Sequence, residues 1–278
     1  MMGIDVGGTG SRYVLLDGDG KVVETGELNW RYGEELDALA SEIGELKGRT
    51  GAERVGVAMR GVWREEEREE MRGRLGVDVV MSDVEGAFYD AFKDEGLVVV
   101  AGTGSICYGR RGEKVSRFGG FGPLIDDWGS GFWMGRLAVE IALKKESFLR
   151  LALFGTEDLN AIRDVLADVQ RRPFPEMVRE IARYAEVVIK AAEMGEEDAS
   201  FVVKSALREL LGMCLWVRED LRNVRSIALH GGLFRSPFFR RHFVSLLKRY
   251  AFQRIVESTD AARGVGRWML RAKLKGGR

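Results

Sequence analysis

Cysteine and histidine are scarce in this 278-residue chain, which contains two of each. Cys107 and Cys214 cannot make a disulfide framework, and with two histidines they cannot build a multi-ligand zinc or iron–sulfur site unaided. A chain without a disulfide framework fits a reducing compartment, so the cytoplasm is the predicted location. Asn and Gln are also rare, and Arg outnumbers Lys by 32 to 11, a pattern that suggests a heat-adapted source.

An excess of charge of either sign and long apolar runs are missing too. The formal net charge is +0, from 43 Lys+Arg against 43 Asp+Glu, so the chain carries no basic footprint for nucleic acid. No stretch approaches the ~18 apolar residues of a membrane helix, and the first residues follow a strand pattern without a basic and then apolar leader. We therefore expect a protein that binds neither nucleic acid nor membrane and is not secreted.

The order of predicted elements is the strongest signal in the sequence. Residues 1–28 read as three short strands joined by turns, and residues 34–93 continue as helix, strand, helix, strand, helix. From residue 97 the three strands begin again, followed by a glycine-rich loop at 119–131 and helical sequence to about residue 222. A strand, a helix, a strand and a closing helix at 260–273 follow. This repeated order predicts two copies of one topology, the second with a helical insertion.

Two glycine-rich turns occupy the same place in the two copies. They are Gly7-Gly8-Thr9-Gly10 and Gly102-Thr103-Gly104-Ser105, and each joins a strand to a strand. A P-loop or a dinucleotide-binding motif needs its glycines between a strand and a helix, so both readings are excluded. A tight Gly/Thr turn can present backbone N–H groups and a hydroxyl to an anion. Hairpins also contain glycine for steric reasons alone, and that reading stays open.

Further motifs, taken with the doubled topology, make the chain resemble the actin/hexokinase/Hsp70 superfamily of two-lobed ATP-binding proteins. Within it, the sequence is most similar to the BadF/BadG/BcrA/BcrD ATPase family, on the branch that contains N-acetylglucosamine kinase. The motifs that carry the likeness are the following: Gly3-Ile4-Asp5-Val6-Gly7-Gly8-Thr9, Ser82-Asp83, Ala101-Gly102-Thr103-Gly104-Ser105, Phe118-Gly119-Gly120-Phe121-Gly122-Pro123-Leu124-Ile125-Asp126-Asp127-Trp128-Gly129-Ser130-Gly131 and Leu229-His230-Gly231-Gly232-Leu233-Phe234.

The resemblance implies an α/β fold of two duplicated ribonuclease-H-like lobes, each with a mixed five-stranded sheet, facing each other over a cleft. The first lobe would span residues 1–95, and the second, with the helical insertion, residues 96–278. The closing helix at 260–273 would pack back toward the first lobe. The resemblance also implies a homodimer whose partners are a small-molecule sugar and a nucleotide.

The nucleotide site implied by the resemblance uses ATP and Mg²⁺. Asp5 would hold the magnesium ion directly or through its waters, although an Asp before two glycines can also cap a turn. The two turns would grip the phosphates, and the loop after Leu229 would contact the adenosine. The implied nucleotide-binding residues are Gly7, Gly8, Thr9, Gly102, Thr103, Gly104, Gly231 and Gly232.

Asp83 is the implied catalytic residue, and it would accept the proton of the attacking sugar hydroxyl. An Asp or Ser just before a helix is also an ordinary N-cap, so Ser82 or Asp83 can serve that role. The residues implied to contact the sugar are Asn29, Asp83, Thr103, Gly104, Gly120, Phe121, Gly122 and Asp127.

Two stretches depart from the kinase pattern. Asp126 and Trp128 replace the Gly and Glu that flank Asp127 in Gly-Asp-Glu-Gly-Ser. Met59 and Arg60 replace smaller residues near the substrate. An Arg60 that points inward would indicate an anionic or differently oriented substrate, whereas one that points outward is a solvated loop residue.

The leading functional hypothesis is therefore an ATP-dependent sugar kinase that phosphorylates a hexose or amino sugar, with the 6-hydroxyl of N-acetylglucosamine or glucosamine as the first candidate. The same family contains ATPases that energise electron transfer through an iron–sulfur cluster bridging a dimer. That alternative needs a pair of cluster cysteines, whereas Cys107 falls in a predicted strand and Cys214 in a predicted helix. A non-catalytic sensor of sugar or nucleotide is the third candidate.

Overall fold

The structure is a computed structural model that describes residues 1–7, 10–30 and 35–276. The chain divides into two compact units. The first comprises Met1–Asp94 and the chain from Thr259 onward, and the second comprises Glu95–Ser258. The division expected from the sequence lies one residue further along, and the closing helix belongs to the first unit.

The first unit is built on a mixed five-stranded sheet. Its elements are β1 (Met2–Val6), β2 (Ser11–Leu16), β3 (Val22–Leu28), α1 (Leu36–Thr50), β4 (Val55–Met59), α2 (Glu65–Leu75), β5 (Val79–Ser82), α3 (Asp83–Ala91) and, from the end of the chain, α10 (Ala261–Gly276). The strand order is β3-β2-β1-β4-β5. β2 runs antiparallel to β1 and β3, whereas β1, β4 and β5 are parallel.

Both faces of this sheet are covered. One face packs apolar side chains such as Ile4 and Val57 into a core with α1 residues such as Leu39. The other face meets α3 and α10 so closely that a Cβ built at Gly3 would lie 1.8 Å from the carbonyl oxygen of Ala262. Only glycine fits at that position, so α10 lies directly on β1.

The second unit repeats the arrangement. Its elements are β6 (Glu95–Ala101), β7 (Ser105–Arg111), β8 (Lys114–Gly119), α4 (Gly131–Lys144), α5 (Phe148–Phe154), α6 (Leu159–Arg171), α7 (Phe174–Glu193), α8 (Glu197–Asp220), β9 (Ser226–His230), α9 (Pro237–Arg249) and β10 (Arg254–Val256). A short 3-10 helix, Gly232–Arg235, follows β9. Helices α4 to α8 form the predicted insertion between β8 and β9.

The strand order of the second sheet is β10-β9-β6-β7-β8. If the strands of each sheet are renumbered from one to five in chain order, the two sheets have the same order, read from opposite edges. The predicted duplication and the α/β fold are therefore confirmed. Among the residues that the structure describes, none of the helices is long and apolar enough to cross a membrane.

Candidate active site

One row of residues, with one residue from each of the five strands, crosses the first sheet at the end where the β1–β2 hairpin turns. We call this end the hairpin edge. Hydrogen-bonded register pairs Leu28 with Ser11, Ser11 with Val6, Val6 with Met59, and Met59 with Ser82. The residues that follow the strand ends in this row are Asn29, Gly7, Arg60 and Asp83. The sheet therefore brings three predicted site positions of the first unit to a single edge, and adjacent strands there are ~4.8 Å apart.

Asp5 lies one residue before this row, opposite Arg12 on β2. The Arg12 guanidinium is 3.1 Å from Asp5 Oδ2, and the Asp5 side chain is only 12% exposed. A nearly buried carboxylate needs a cation or several hydrogen bonds to stay ionised. Arg12 supplies the cation in this structure.

Ser82, and not Asp83, caps helix α3. The Ser82 hydroxyl accepts a hydrogen bond from the Glu85 N–H at 3.3 Å, and Glu85 Oε2 accepts from the Ser82 N–H at 2.9 Å. Arg68 holds the same Glu85 oxygen at 2.9 Å. This capping box leaves Asp83, the first residue of the helix, with a half-buried carboxylate whose Oδ1 accepts only the neighbouring Val84 N–H within the described residues.

The second sheet has an equivalent row. Register pairs Gly119 with Ile106, Ile106 with Val100, and Val100 with His230. The positions that continue these strands beyond the row include four of the predicted site residues of the second unit: Gly102, Gly104, Gly120 and Gly231. The duplicated topology thus gathers predicted residues at the hairpin edge in both units.

Helix α4 fixes the carbonyl oxygens of the second glycine turn. The Gly131 N–H donates to Gly102 O at 2.7 Å, and the Phe132 N–H donates to Thr103 O at 3.1 Å. Within the described part of the chain, the N–H groups of Thr103 and Gly104 have no hydrogen-bond partner. A turn whose carbonyl oxygens are held in this way, and which keeps two N–H groups unpaired, is suited to bind an anion.

The Asp127 side chain supports the second glycine turn. Its Oδ1 accepts the Ser105 N–H at 3.2 Å, and a Cβ built at Gly104 would lie 2.6 Å from its Oδ2. The residue is only 4% exposed. The Ser105 hydroxyl donates to Trp128 O at 2.7 Å, which ties the turn to the same loop. Asp127 therefore contacts the second glycine turn, a contact that the sequence did not reveal.

The rest of the 120–128 loop is open to solvent. Phe121 is 64% exposed, and the Arg117 guanidinium carbon lies 4.9 Å from the centre of its ring. Asp126 closes the loop by accepting the Phe121 N–H at 2.8 Å. The departure from Gly to Asp at position 126 thus has a local structural role, while Trp128 is 41% exposed.

Three further sets of predicted residues in the first unit are Asn29, the pair Met59 and Arg60, and the glycine-turn residues Gly8 and Thr9. Asn29 is exposed, and its N–H donates to Glu42 Oε1 at 2.8 Å. Met59 is a core residue of β4, and Arg60 is an exposed turn residue. Gly8 and Thr9, predicted to bind phosphate, lie outside the described residues.

The residues of the first unit fit a magnesium ion. Mg²⁺ is commonly held by one or two carboxylates, with waters and substrate phosphates as its other ligands. Asp5, already paired with a cation at the glycine turn, supplies such a carboxylate. Within residues 1–7, 10–30 and 35–276, no three His, Cys, Asp or Glu side chains are grouped so that they could hold a metal ion by themselves.

Comparison with known proteins now adds a second line of evidence. The sequence profile described as the BadF/BadG/BcrA/BcrD ATPase family matches residues 2–263. The chain belongs to this ATPase family.

Two relatives with curated names match part of this family member. An N-acetylmuramic acid/N-acetylglucosamine kinase from Clostridium acetobutylicum is 34% identical over 146 residues, which is 50% of this chain and 47% of the relative. An N-acetyl-D-glucosamine kinase from Dictyostelium discoideum is 28% identical over 122 residues, 41% of this chain and 38% of the relative. The matched segments therefore span less than half the length of either relative.

Solved structures share the fold over nearly the whole chain. A protein from Chromobacterium violaceum, provisionally described as an N-acetylglucosamine kinase, has a TM-score of 0.75 at 22% identity and covers 97% of this chain and 98% of its own. A ROK family glucokinase from Streptomyces griseus, in complex with glucose and AMPPNP, has a TM-score of 0.62 at 17% identity and covers 100% of this chain and 99% of its own. Both likenesses concern the fold of the family.

The cysteines of this ATPase-family chain are core residues. Cys107 on β7 and Cys214 on α8 are fully buried in the second unit. Burial, together with the adjacent Cys214 thiol, raises the pKa of Cys107 well above its ordinary value. Neither sulfur is presented at a surface, where ligands to a cluster shared between two subunits have to lie.

Sequence reasoning missed Arg12 and the charges around Asp90. Arg12 could have been found by register, since a hairpin that turns at residues 7–10 places residue 12 opposite residue 5. Asp90 on α3 is bound by Arg263 at 2.6 and 2.7 Å and by Arg267 at 2.8 Å. These partners are more than 170 positions apart in sequence, so no local signal indicates them.

Proposed function

We propose that this member of the family is an ATP-dependent sugar kinase that transfers the γ-phosphoryl group to a hydroxyl of a hexose or amino sugar. The single observation that supports it best is the residue row of the first sheet. That row places the carboxylate of Asp83 and the first glycine turn at the same edge, two strands apart. A base for the acceptor and a cradle for the phosphate are the two functions that such a transfer needs.

Asp83 acts as the general base in this proposal. It accepts the proton of the attacking hydroxyl, and its carboxylate is available because Ser82 performs the capping of α3. The Glu85 and Arg68 side chains hold the cap, so they position the first turn of the helix that carries Asp83. Asp83 therefore combines a half-buried carboxylate with a backbone position held by the cap.

The two glycine turns bind the nucleotide phosphates. Gly102, Thr103 and Gly104 form the second turn, to which Thr103 and Gly104 contribute their N–H groups and Thr103 its hydroxyl. Gly7, Gly8 and Thr9 have the same part in the first unit. Gly231 and Gly232 follow β9 and are proposed to contact the adenosine. Since phosphoryl transfer depends mostly on positioning and on neutralising charge, such donors can supply much of the catalysis.

Asp5 is the proposed residue for Mg²⁺. When bound, the ion would neutralise charge on the transferring phosphates. The chain contributes the carboxylate of Asp5 and the counter-charge of Arg12, whose guanidinium lies 3.1 Å from Asp5 Oδ2.

The proposed sugar contacts are Asn29 and the loop at Gly120, Phe121 and Gly122. The exposed Phe121 ring offers an apolar platform of the kind that a sugar ring face can stack on. Asp127, which accepts the Ser105 N–H, is the proposed carboxylate acceptor for the sugar hydroxyls. The turn residues Thr103 and Gly104 would contact the same ligand.

The names of the two relatives narrow the substrate class. Both are kinases of N-acetylated amino sugars, so we propose the 6-hydroxyl of N-acetylglucosamine or glucosamine as the acceptor, with N-acetylmuramic acid as a further candidate. The proposed enzyme acts on free sugar and nucleotide and forms a homodimer.

The deciding experiment measures ADP release with ATP and Mg²⁺ across glucose, glucosamine, N-acetylglucosamine and N-acetylmuramic acid. We expect release that depends on one or more of the amino sugars. Asp83→Asn should lower kcat by about 10²–10⁴-fold, the usual contribution of a general base, with nucleotide binding nearly unchanged. Asp94→Asn, at an exposed carboxylate just beyond α3, is the matched control and should retain activity.

Two outcomes would overturn the proposal. ADP release that no sugar stimulates would favour the ATPase alternative, and binding of sugar or nucleotide with no turnover would favour a sensor. Near-normal turnover by Asp83→Asn would remove the assignment of the base while leaving the kinase activity in place.

A further inference from the structure

Arg12 lies between two carboxylates of the first unit. Its Nη2 is 3.1 Å from Asp5 Oδ2, and its Nε is 3.9 Å from Asp260 Oδ2. The second distance is too long for a hydrogen bond. Within the described residues the buried Nε atom has no hydrogen-bond partner. A small shift of the guanidinium toward Asp260 would therefore satisfy a donor that is now unpaired.

Asp260 is held firmly in place to receive such a shift. Its Oδ1 accepts the Arg263 N–H at 3.0 Å and so caps the first turn of α10. Its own N–H donates to Asp90 Oδ2 at 2.9 Å. The remaining oxygen, Oδ2, is the one that faces Arg12. The acceptor for the Arg12 side chain is thus fixed at both its backbone and its carboxylate.

The fold itself does not require this charge arrangement. In the second unit, the position behind the glycine turn pairs Val100 with Ile106, where the first unit pairs Asp5 with Arg12. Both hairpins have the same place in the same topology. An apolar pair is therefore compatible with the hairpin, and the charged pair in the first unit needs a separate explanation.

We propose that Arg12 is an exchangeable counter-ion of Asp5: it pairs with Asp5 before the metal–nucleotide complex binds and with Asp260 afterwards. The proposal rests on the proposed function, since it needs Asp5 to receive Mg²⁺. A dication and a guanidinium on one carboxylate repel each other at a separation of a few ångströms, and low exposure weakens the screening. Arg12 and Asp260 are thus positioning residues that together set the magnesium requirement of the site.

The test titrates Mg²⁺ against a fluorescent, non-hydrolysable ATP analogue and measures the half-saturating Mg²⁺ concentration for analogue binding. Arg12→Gln removes the competing cation, so we expect that concentration to fall about three- to tenfold. Asp260→Asn keeps an oxygen that can cap α10 but removes the charge that attracts Arg12. The half-saturating concentration should then rise by a similar factor, because Arg12 stays on Asp5.

Two control variants accompany these. Arg12→Lys keeps the positive charge but not the guanidinium fork, so its half-saturating Mg²⁺ concentration should stay closer to that of the wild type than that of Arg12→Gln does. Arg49→Gln removes an arginine of the same unit that pairs with Glu24 and Tyr13, and it should not shift the Mg²⁺ titration. Thermal unfolding of each variant shows whether it is folded. If Arg12→Gln does not fold, the Mg²⁺ titrations of Asp260→Asn and Arg12→Lys decide the test.

Shifts of Arg12→Gln and Asp260→Asn in the same direction, or of less than twofold, would overturn the proposal. A wild-type protein whose analogue binding does not respond to Mg²⁺ would instead overturn the assignment of Asp5 in the proposed function. The two failures are therefore distinguishable in one data set.

Discussion

The two glycine-turn hairpins have one backbone topology and the same Gly-Thr-Gly-Ser sequence, but their surroundings differ. The first places Asp5 opposite Arg12 behind its turn, whereas the second places Val100 opposite Ile106. The Ser105 hydroxyl of the second hairpin is bonded to Trp128 O, while the equivalent Ser11 hydroxyl is buried and has no partner among the described residues. Duplication has preserved the path of the chain and not the chemistry around it.

The same difference extends to the helices behind the hairpins. In the first unit, α3 and α10 are joined by Asp90, whose side chain is 2% exposed and lies between Arg263 and Arg267. In the second unit, α4 and α7 meet through apolar residues such as Met134 and Val188. The first unit is therefore held by buried charge as well as by apolar packing.

The largest expected effect comes from removing that buried charge. Asp90→Ala leaves two arginines without their carboxylate, so the free energy of unfolding should fall by about 3–5 kcal/mol. Asp94→Ala, at an exposed pair with Lys93, should cost less than about 1 kcal/mol. Urea denaturation measures both. Equal losses for the two variants would show that the buried ionic cluster around Asp90 stabilises the first unit no more than an exposed ion pair does.

A matched pair of glycines tests the turns directly. A Cβ at Gly104 would meet Asp127 Oδ2 at 2.6 Å, whereas a Cβ at Gly10 meets no described atom within 4 Å. Gly104→Ala should therefore cost about 1–3 kcal/mol of unfolding free energy through overpacking, and Gly10→Ala no more than about 0.5 kcal/mol. Chemical denaturation of the two variants compares them. A larger loss for Gly10→Ala would contradict the contrast between these two glycine positions.

The smallest expected effect is the pH dependence that Glu67, at the N-terminal cap of helix α2, gives to the stability of the fold. The N–H groups of Arg64 and Trp63 donate to Glu67, which lowers the pKa of Glu67 from its ordinary 4.5 to about 2. A lowered pKa means that the carboxylate stabilises the folded state above pH 4.5, and that this contribution is lost as the pH falls toward 2. The unfolding midpoints of wild type and Glu67→Gln should therefore converge between pH 5 and pH 2.

The hydroxyl cap of the second unit provides the control for this prediction. Ser130 caps α4 by accepting the Trp133 N–H at 3.2 Å, and a hydroxyl does not titrate in this range. Ser130→Ala should cost about 1 kcal/mol at both ends of the pH series. A Glu67→Gln difference that persists at pH 2 would show that the cap acts without its charge.

Much of the fold follows from local pattern. The strand and helix order was predictable because alternating apolar residues, glycine turns and capping residues such as Ser82 are signals within a few positions of each other. It was also predictable that Asp83 and the first glycine turn lie at the same end of the sheet, since parallel strands end on the same side of a sheet. The site residues other than Gly8 and Thr9 were thereby assigned to described elements, while their roles remain predictions.

The contacts that the sequence did not reveal are those between distant segments. Asp127 reaches the second turn from 22 positions away, and Asp260 meets Arg12 from the other end of the chain. Side-chain partners of this kind depend on how the elements pack, and no periodicity within either segment encodes them. The exposed Phe121 is similar, because its sequence neighbourhood is apolar and would equally suit a buried loop.

The position of α10 has a consequence for how the protein is made. Gly3 is covered by Ala262, so β1 cannot complete its packing until α10 has been translated. At ~5–20 residues per second, the segment between them takes on the order of tens of seconds to appear. The second unit, continuous from Glu95 to Ser258, can complete its core in that interval. The strand β1 is therefore synthesised before the second unit and finishes its packing after it.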